Sequence, residues 1–226
     1  MTVPEWLRPL VERIRESDAS AFSRYRPPGN GGRRSAVLVL FGEDAPVYQG
    51  EGIVPGPDVL VLQRAAGMRN HAGQPAFPGG AADPEDTGPA DTALREAREE
   101  VGLDPASVEV VATLPELWIP VTQFAVTPVL AWWRQPHPVR PTAAEEVARV
   151  ERLPIAELTD PANRLRVRHP SGYIGPAFKV RDMLVWGFTA GVLTTVLQLA
   201  GWERPWNPDR IEDLPPEQLR DRNRSR

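Results

Sequence analysis

A chain of 226 residues with 41% hydrophobic side chains is long enough to bury a full core, which excludes a disordered or fibrous class. Its net charge of -4 and pI near 5.5 supply no basic field for holding nucleic acid, although a small anion needs only a local basic site. The absence of cysteine excludes a disulfide framework, a thiolate metal site and a cysteine nucleophile.

The first residues lack a basic stretch followed by an apolar one, so no secretory signal is expected and the cytoplasm is the default location. Thr2 with Glu5 resembles a capping box, Pro4 suits an early helical position, and Trp6, Leu7, Leu10, Val11 and Ile14 recur at helical spacing, predicting an amphipathic N-terminal helix. Pro27, Pro28, Gly29, Gly31 and Gly32 then break the chain before a buried strand at residues 36–41. A second strand is expected at residues 59–63, with the Gly- and Pro-containing residues 42–58 as a long loop between the two. Further strands are predicted at residues 108–113, 125–133 and 147–153, and helices at residues 90–101 and 182–200. Trp132 and Trp133 read as packing and strand-surface residues. Strands and helices intermixed predict a sheet with helices on its faces.

Residues 183–202 carry no charge and place Gly187 and Gly191 at G-x-x-x-G spacing, so a membrane span has to be weighed. Thr189, Thr194, Thr195 and Gln198 dilute the apolarity and no basic cluster follows, which favours a buried helix of a soluble domain. Residues 203–226 mix acidic and arginine residues with prolines and show almost no apolar periodicity, the composition of a flexible charged tail. The expected organisation is therefore an N-terminal helix and linker over residues 1–34, one main domain over 35–202 including its C-terminal helix, and a tail over 203–226.

The chemistry-bearing residues are concentrated in Phe77-Pro78-Gly79-Gly80, an acidic loop through Asp83, Glu85 and Asp86, and a helix carrying Arg95-Glu96-Ala97-Arg98-Glu99-Glu100 closed by Gly102. On that helix Ala93, Leu94, Ala97 and Val101 share one stripe, while Glu96, Glu99 and Glu100 gather on another. Like charges at this spacing repel by about 0.2–0.5 kcal/mol per pair, and a hard divalent cation such as Mg²⁺ or Mn²⁺ would convert the repulsion into coordination. A solvated acidic face paired with Arg95 and Arg98 is the plainer alternative.

The order of Gly-Gly turn, acidic loop and R-E-x-x-E-E helix resembles the Nudix box. The resemblance implies an α/β/α sandwich around a mixed sheet, and a helix whose glutamates hold the metal ions that bridge a diphosphate. Gly80 would offer a backbone carbonyl, and Glu96, Glu99 and Glu100 their carboxylates. The interval from Gly80 to Arg95 is one residue longer than the general box, and Thr87 stands where a glutamate is usual. The preceding stretch from Arg64 to Gly80 is similar to the signature of the coenzyme A pyrophosphatase branch, with Arg64, Ala65, Arg69, Gly73 and Phe77 to Gly80 in register and Val61 and Leu62 departing. Trp186-Gly187-Phe188-Thr189-Ala190 also looks like the W-G-x-T-A segment of that branch.

The implied activity is hydrolysis of coenzyme A or its thioesters, with Mg²⁺ or Mn²⁺ as cofactor and a small-molecule substrate rather than nucleic acid or membrane as partner; a homodimer is left open. Arg64 and Arg69 suit phosphate oxygens, or one of them pairs with a carboxylate of the box loop. Gln74 either orients substrate or stabilises a turn, and His71 reads as a loop histidine. By the same resemblance a carboxylate beyond the box completes the site as metal ligand or base. Glu146 is expected there because the resemblance places the acid directly before the valine, here Val147; Glu145 is its immediate competitor, of which pair only one should face the metals since neighbours on an extended strand point to opposite faces, and Glu116 is a more distant candidate. Rival readings are another diphosphate substrate such as ADP-ribose, a dinucleotide or a nucleoside triphosphate, and a catalytically silent ligand sensor.

Overall fold

Side-chain alternation along the first strand sets the layers. In the computed structural model, which describes residues 3–16, 32–49, 52–68, 71–119 and 123–219, Ala36, Leu38 and Leu40 join one core while Val39 and Phe41 join another. This strand, β1 (Arg33–Gln49), pairs antiparallel with β2 (Gly52–Arg64) and parallel with β7 (Phe124–Trp133). The sheet is completed by β3 (Pro75–Ala76), β4 (Gly79–Ala81), β5 (Val108–Thr113), β6 (Leu117–Ile119) and β8 (Val147–Pro154). It is therefore mixed.

Helix α2 (Pro89–Val101) covers one face. Its contact positions Ala93 and Ala97 are small and fully buried, so its axis lies close to Leu38, Leu62 and Val129 of the sheet. Gly102 ends the helix in the left-handed conformation (φ 70°) and donates its N–H to the carbonyls of Ala97 and Arg98. Helices α1 (Arg8–Glu16) and α4 (Gly187–Ala200), with the single-turn α3 (Ile155–Leu158), cover the other face. The N-terminal periodicity is borne out, since Leu7, Leu10, Val11 and Ile14 are all buried. Trp132 and Trp133 pack on opposite sides of β7, in separate cores. The architecture is an α/β/α sandwich. Thr2, Pro27, Pro28, Gly29 and Gly31 lie outside the described residues.

Three expectations are corrected. Residues 42–58 are not a loop but the arms of one long hairpin, in register from Ala45↔Gly56 to Gln49↔Gly52. Pro46 and Pro55 are register partners, so the donors they lack fall on a single rung. A bulge between Gly42 and Ala45 is held by Asp58, whose buried carboxylate accepts from Ala45 N (3.0 Å) and from Arg152 Nε (2.9 Å) and Nη2 (2.7 Å).

The helix expected from residue 182 starts at Gly187 instead. Arg181 and Asp182 both adopt positive φ, making a two-residue turn between β10 (Ile174–Val180) and the short β11 (Met183–Val185). At 14 residues α4 falls short of the roughly 20 needed to cross a bilayer, and no helix among the described residues is long and apolar enough to do so.

Within the segment read as a flexible tail, the described residues 203–219 carry structure. It adds β12 (Ile211–Asp213) in parallel to β9 (Arg164–Arg168), closing a second sheet of order β11-β10-β9-β12. Its anchor is Arg164, a side chain 1% exposed that donates to Glu203 (3.0 Å) and lies between the rings of Phe178 and Trp206. Leu214 is buried with Leu165, Val167 and Ala177.

Candidate active site

The Gly79-Gly80 turn is pressed between β1 and α2. As β4 it pairs with β1 through Val37↔Gly79 and Ala36↔Gly80, and Gly79 N donates to Glu100 Oε2 (2.9 Å). A side chain on Gly80 would fall 2.4 Å from the Glu96 carboxylate, and one on Gly79 2.3 Å from the Ala36 carbonyl. Two neighbouring glycines thus serve different ends. Gly80→Ala should displace the end of a flexible glutamate, lowering turnover while the melting temperature holds. Gly79→Ala meets main chain and should cost about 1–3 kcal/mol of stability, the usual price of overpacking, read by denaturant unfolding. Equal melting temperatures for the two variants would contradict this division.

The glutamates of α2 are not uniformly exposed, as the helical pattern alone would have them. Glu99 is exposed, Glu96 is half-buried and Glu100 is 4% exposed among the core side chains. Burial pushes the Glu100 carboxyl up to about 7; the Gly79 N–H and Arg64 oppose the shift, while Glu96 and Glu146 add to it. Burial likewise raises Glu96, against its hydrogen bond from Arg95 and with repulsion from Glu99 and Glu146. Glu146 is thus the carboxylate outside the box helix whose charge is felt at both residues. It occupies a turn rather than the strand: its N–H donates to Ala143 O (2.9 Å) and its carbonyl accepts from Ala65 N (2.7 Å), just before β8 begins at Val147. The opposite-faces argument used to separate it from Glu145 does not apply to a turn.

Arg95 organises the acidic groups. It grips Asp86 with Nε and Nη2 (both 3.1 Å), Ala81 O with Nη2 (3.0 Å), Glu96 with Nη1 (3.0 Å) and Glu99 with Nη1 (3.3 Å). The Arg95 hydrogen bonds, helped by the N–H of Asp83 and the hydroxyl of Thr92, hold the Asp86 carboxyl well below the usual carboxylate range. Asp86, nine residues before Arg95, is the loop residue that the sequence left unassigned. The one-residue-longer loop presents this acid where Thr87 could not serve.

Arg64, at the end of β2, faces Glu100, and its buried Nε has no hydrogen-bond partner among the described residues. Gln74 is engaged with protein: Nε2 donates to Gln218 O (3.2 Å), and Oε1 pairs with His71 Nδ1 (3.0 Å). Arg69 lies outside the described residues. A cleft of about 570 Å³ lined by Glu85, Asp86, Leu94, Arg98 and Glu99 flanks the helix, within the size range of small-molecule sites. Another, of about 400 Å³ against His137 and Arg152, contains none of the site carboxylates.

Among the described residues no three acidic or histidine side chains are already gathered as a metal cage, since Glu96 and Glu99 turn to Arg95 and Glu100 to Gly79 N. The donor set nonetheless suits a hard dication. Mg²⁺ binds through one or two carboxylates, waters and substrate phosphates rather than an all-protein cage, and it would offset the repulsion that adds to burial in raising Glu96 and Glu100.

Comparison with known proteins identifies the family. The model of the NUDIX domain matches residues 32–174. The uncharacterized Nudix hydrolase NudL of Citrobacter koseri is 39% identical over 184 residues, 77% of this chain and 88% of its own length. NudL of Cronobacter sakazakii is 40% identical over 180 residues, 76% and 85% respectively. Among solved structures, the Nudix hydrolase RenU from M. smegmatis shares the fold, with a TM-score of 0.51 at 20% identity over 78% of this chain and 91% of its own. The chain belongs to the Nudix family of hydrolases.

Proposed function

We propose that this Nudix hydrolase cleaves the diphosphate of coenzyme A or acyl-coenzyme A, giving 4′-phosphopantetheine or its acyl derivative and adenosine 3′,5′-bisphosphate. The observation that carries the reading is Arg64. Its guanidinium stands beside Glu100 with a buried Nε that has no partner among the described residues, in the stretch from Arg64 to Gly80 that resembles the coenzyme A branch. A phosphate oxygen would satisfy that donor.

Gly80, Glu96, Glu99, Glu100 and Glu146 hold Mg²⁺ or Mn²⁺ in this reading. The bound cation neutralises the diphosphate and makes a coordinated water more acidic. Arg64 fixes the diphosphate against the cluster, and Arg69 is assigned the 3′-phosphate. Glu146, an exposed carboxylate whose charge acts on Glu96 and Glu100, takes the proton as water oxygen bonds to one phosphorus and the bond to the bridging oxygen breaks. Arg95 holds Glu96 and Glu99 with Nη1 while its Nη2 donates to the carbonyl of Ala81, the residue after Gly80. The substrate is a small molecule of the cytoplasm.

The test is a panel of initial rates with Mg²⁺ or Mn²⁺ on coenzyme A, acetyl-coenzyme A, ADP-ribose, NADH and diadenosine polyphosphates. Coenzyme A or its thioester should have the highest kcat/KM; a preference for ADP-ribose or a dinucleotide would replace the proposed substrate. Arg69→Ala should raise KM for coenzyme A more than for 3′-dephospho-coenzyme A, by about 1.5–3 kcal/mol for a lost charge-assisted contact. Equal penalties on the two substrates would move Arg69 to the shared diphosphate.

A further inference from the structure

The ordered C-terminal segment ends on the loop that this reading assigns to substrate. From Glu203, held by Arg164, the chain runs along the edge of the second sheet as β12, buries Leu214, whose N–H donates to Arg168 O (2.9 Å), and reaches a short turn at Pro216–Leu219. There Gln218 makes two contacts with opposite partners. Its main-chain carbonyl accepts Gln74 Nε2 (3.2 Å), and its side-chain Oε1 accepts Trp186 Nε1 (3.1 Å) from the residue that precedes α4.

Gln74 in turn governs the loop. Its carbonyl accepts Arg64 N (3.0 Å), and its own N–H donates to His71 O (3.1 Å). Gly73 is fixed from both sides, its N–H donating to Arg64 O (3.1 Å) and its carbonyl accepting Gln63 Nε2 (3.1 Å). The α4 side holds the same loop a second time, through Thr189 Oγ1 to Pro75 O (3.1 Å). A hydrogen-bonded chain therefore runs from Trp186 through Gln218 and Gln74 to the main chain of Arg64.

We infer that Gln218 is a positioning residue: residues 203–219 are a strap that holds residues 71–75 against Arg64 in the shape that binds substrate, so that substrate affinity depends on a contact far along the chain from the box. The inference rests on that loop binding substrate. Gln218 touches neither the carboxylates nor Arg64 directly, so it acts on binding and not on the chemical step. Placing the strap's end on Gln74, rather than on the metal-holding helix, leaves the glutamates untouched when the strap loosens.

The test uses the full chain and three variants. Gln218→Ala removes the acceptor for Trp186, Trp186→Phe removes the donor, and Gln218→Glu keeps an acceptor oxygen in place. Amide hydrogen exchange at Arg64, Gly73 and Gln74 is read first, without substrate. It should rise about three- to tenfold in Gln218→Ala and in Trp186→Phe, the size of one lost hydrogen bond, and no further in the double variant. KM on whichever diphosphate the unaltered enzyme hydrolyses best should rise by about the same factor, with kcat held within about twofold. Gln218→Glu should behave as the unaltered enzyme. Unchanged exchange in Gln218→Ala overturns the strap whatever the substrate, as does faster exchange with unchanged KM. Failure to hydrolyse coenzyme A, with exchange and KM for another diphosphate responding as expected, overturns only the substrate assignment.

Discussion

Glu100→Gln is expected to lower kcat by about 10³-fold or more while leaving the fold intact, a loss of several kcal/mol of transition-state stabilisation. The substitution keeps shape and removes charge. A glutamine carbonyl can still accept the Gly79 N–H that now reaches Glu100 Oε2, so the turn carrying Gly80 stays anchored. Stability gives an internal control. Burial raises the Glu100 carboxyl from 4.5 to about 7, so the folded chain binds its proton more tightly than the unfolded one. The stability linked to that proton is complete below pH 4.5 and is lost as pH rises through about 7. Glutamine has no proton to lose. Metal-free Glu100→Gln should therefore melt no lower than the unaltered chain above pH 7, and Mg²⁺ should raise its melting temperature less. Glu96→Gln should lose activity similarly, since Glu96 lies against Gly80 and feels both Glu99 and Glu146. Near-normal rates in either variant at saturating metal would remove α2 from the chemistry.

Glu146→Gln should lower kcat by about 10²–10⁴-fold, the range for losing a general base, whereas Glu145→Gln should leave it nearly unchanged. The two side chains are neighbours in one turn and both are exposed, so composition and accessibility cannot separate them. Glu146 is distinguished by its charge acting on Glu96 and Glu100 and by its carbonyl pinning Ala65 beside Arg64. The turn is fixed to the box helix as well: Thr142 N donates to Glu100 O (3.0 Å), and the Thr142 hydroxyl donates to Glu99 O. A pH profile of kcat on both variants is the measurement. A selective collapse in Glu146→Gln is the expected result, and two near-normal enzymes would exclude this turn from the mechanism.

What could be read in the sequence was what local periodicity controls. Residues 108–113 are the strand their β-branched alternation predicts, and Ala93, Ala97 and Val101 form the buried stripe that a period of 3.6 requires. The long hairpin was hidden because Gly42, Pro46, Pro55 and Gly56 mimic a loop, while a bulge and a ladder of partners make them a strand. The second sheet was hidden for the opposite reason. Arg164, Arg166 and Arg168 make β9 look solvated, but Arg164 is buried by the rings of Phe178 and Trp206 and by Glu203, all three distant in sequence. In the site, the spacing of Glu96, Glu99 and Glu100 put three carboxylates on one helix. Spacing could not show that Glu100 is buried, that Asp86 anchors Arg95, or that Gln74 is bound to Gln218, because each depends on how a loop returns to the helix or sheet.

The central claim is metal-dependent hydrolysis of a diphosphate by the cluster of Glu96, Glu99, Glu100 and Glu146. It is met most directly by incubating the chelator-treated protein with coenzyme A in ¹⁸O-water, with and without Mg²⁺ or Mn²⁺, and identifying the products by mass. The account predicts no conversion without the cation. With it, 4′-phosphopantetheine and adenosine 3′,5′-bisphosphate should form in equal amounts, one of them carrying a single ¹⁸O on its newly exposed phosphate. Conversion that persists at the same rate in the absence of any divalent cation, or products retaining the diphosphate, would contradict it.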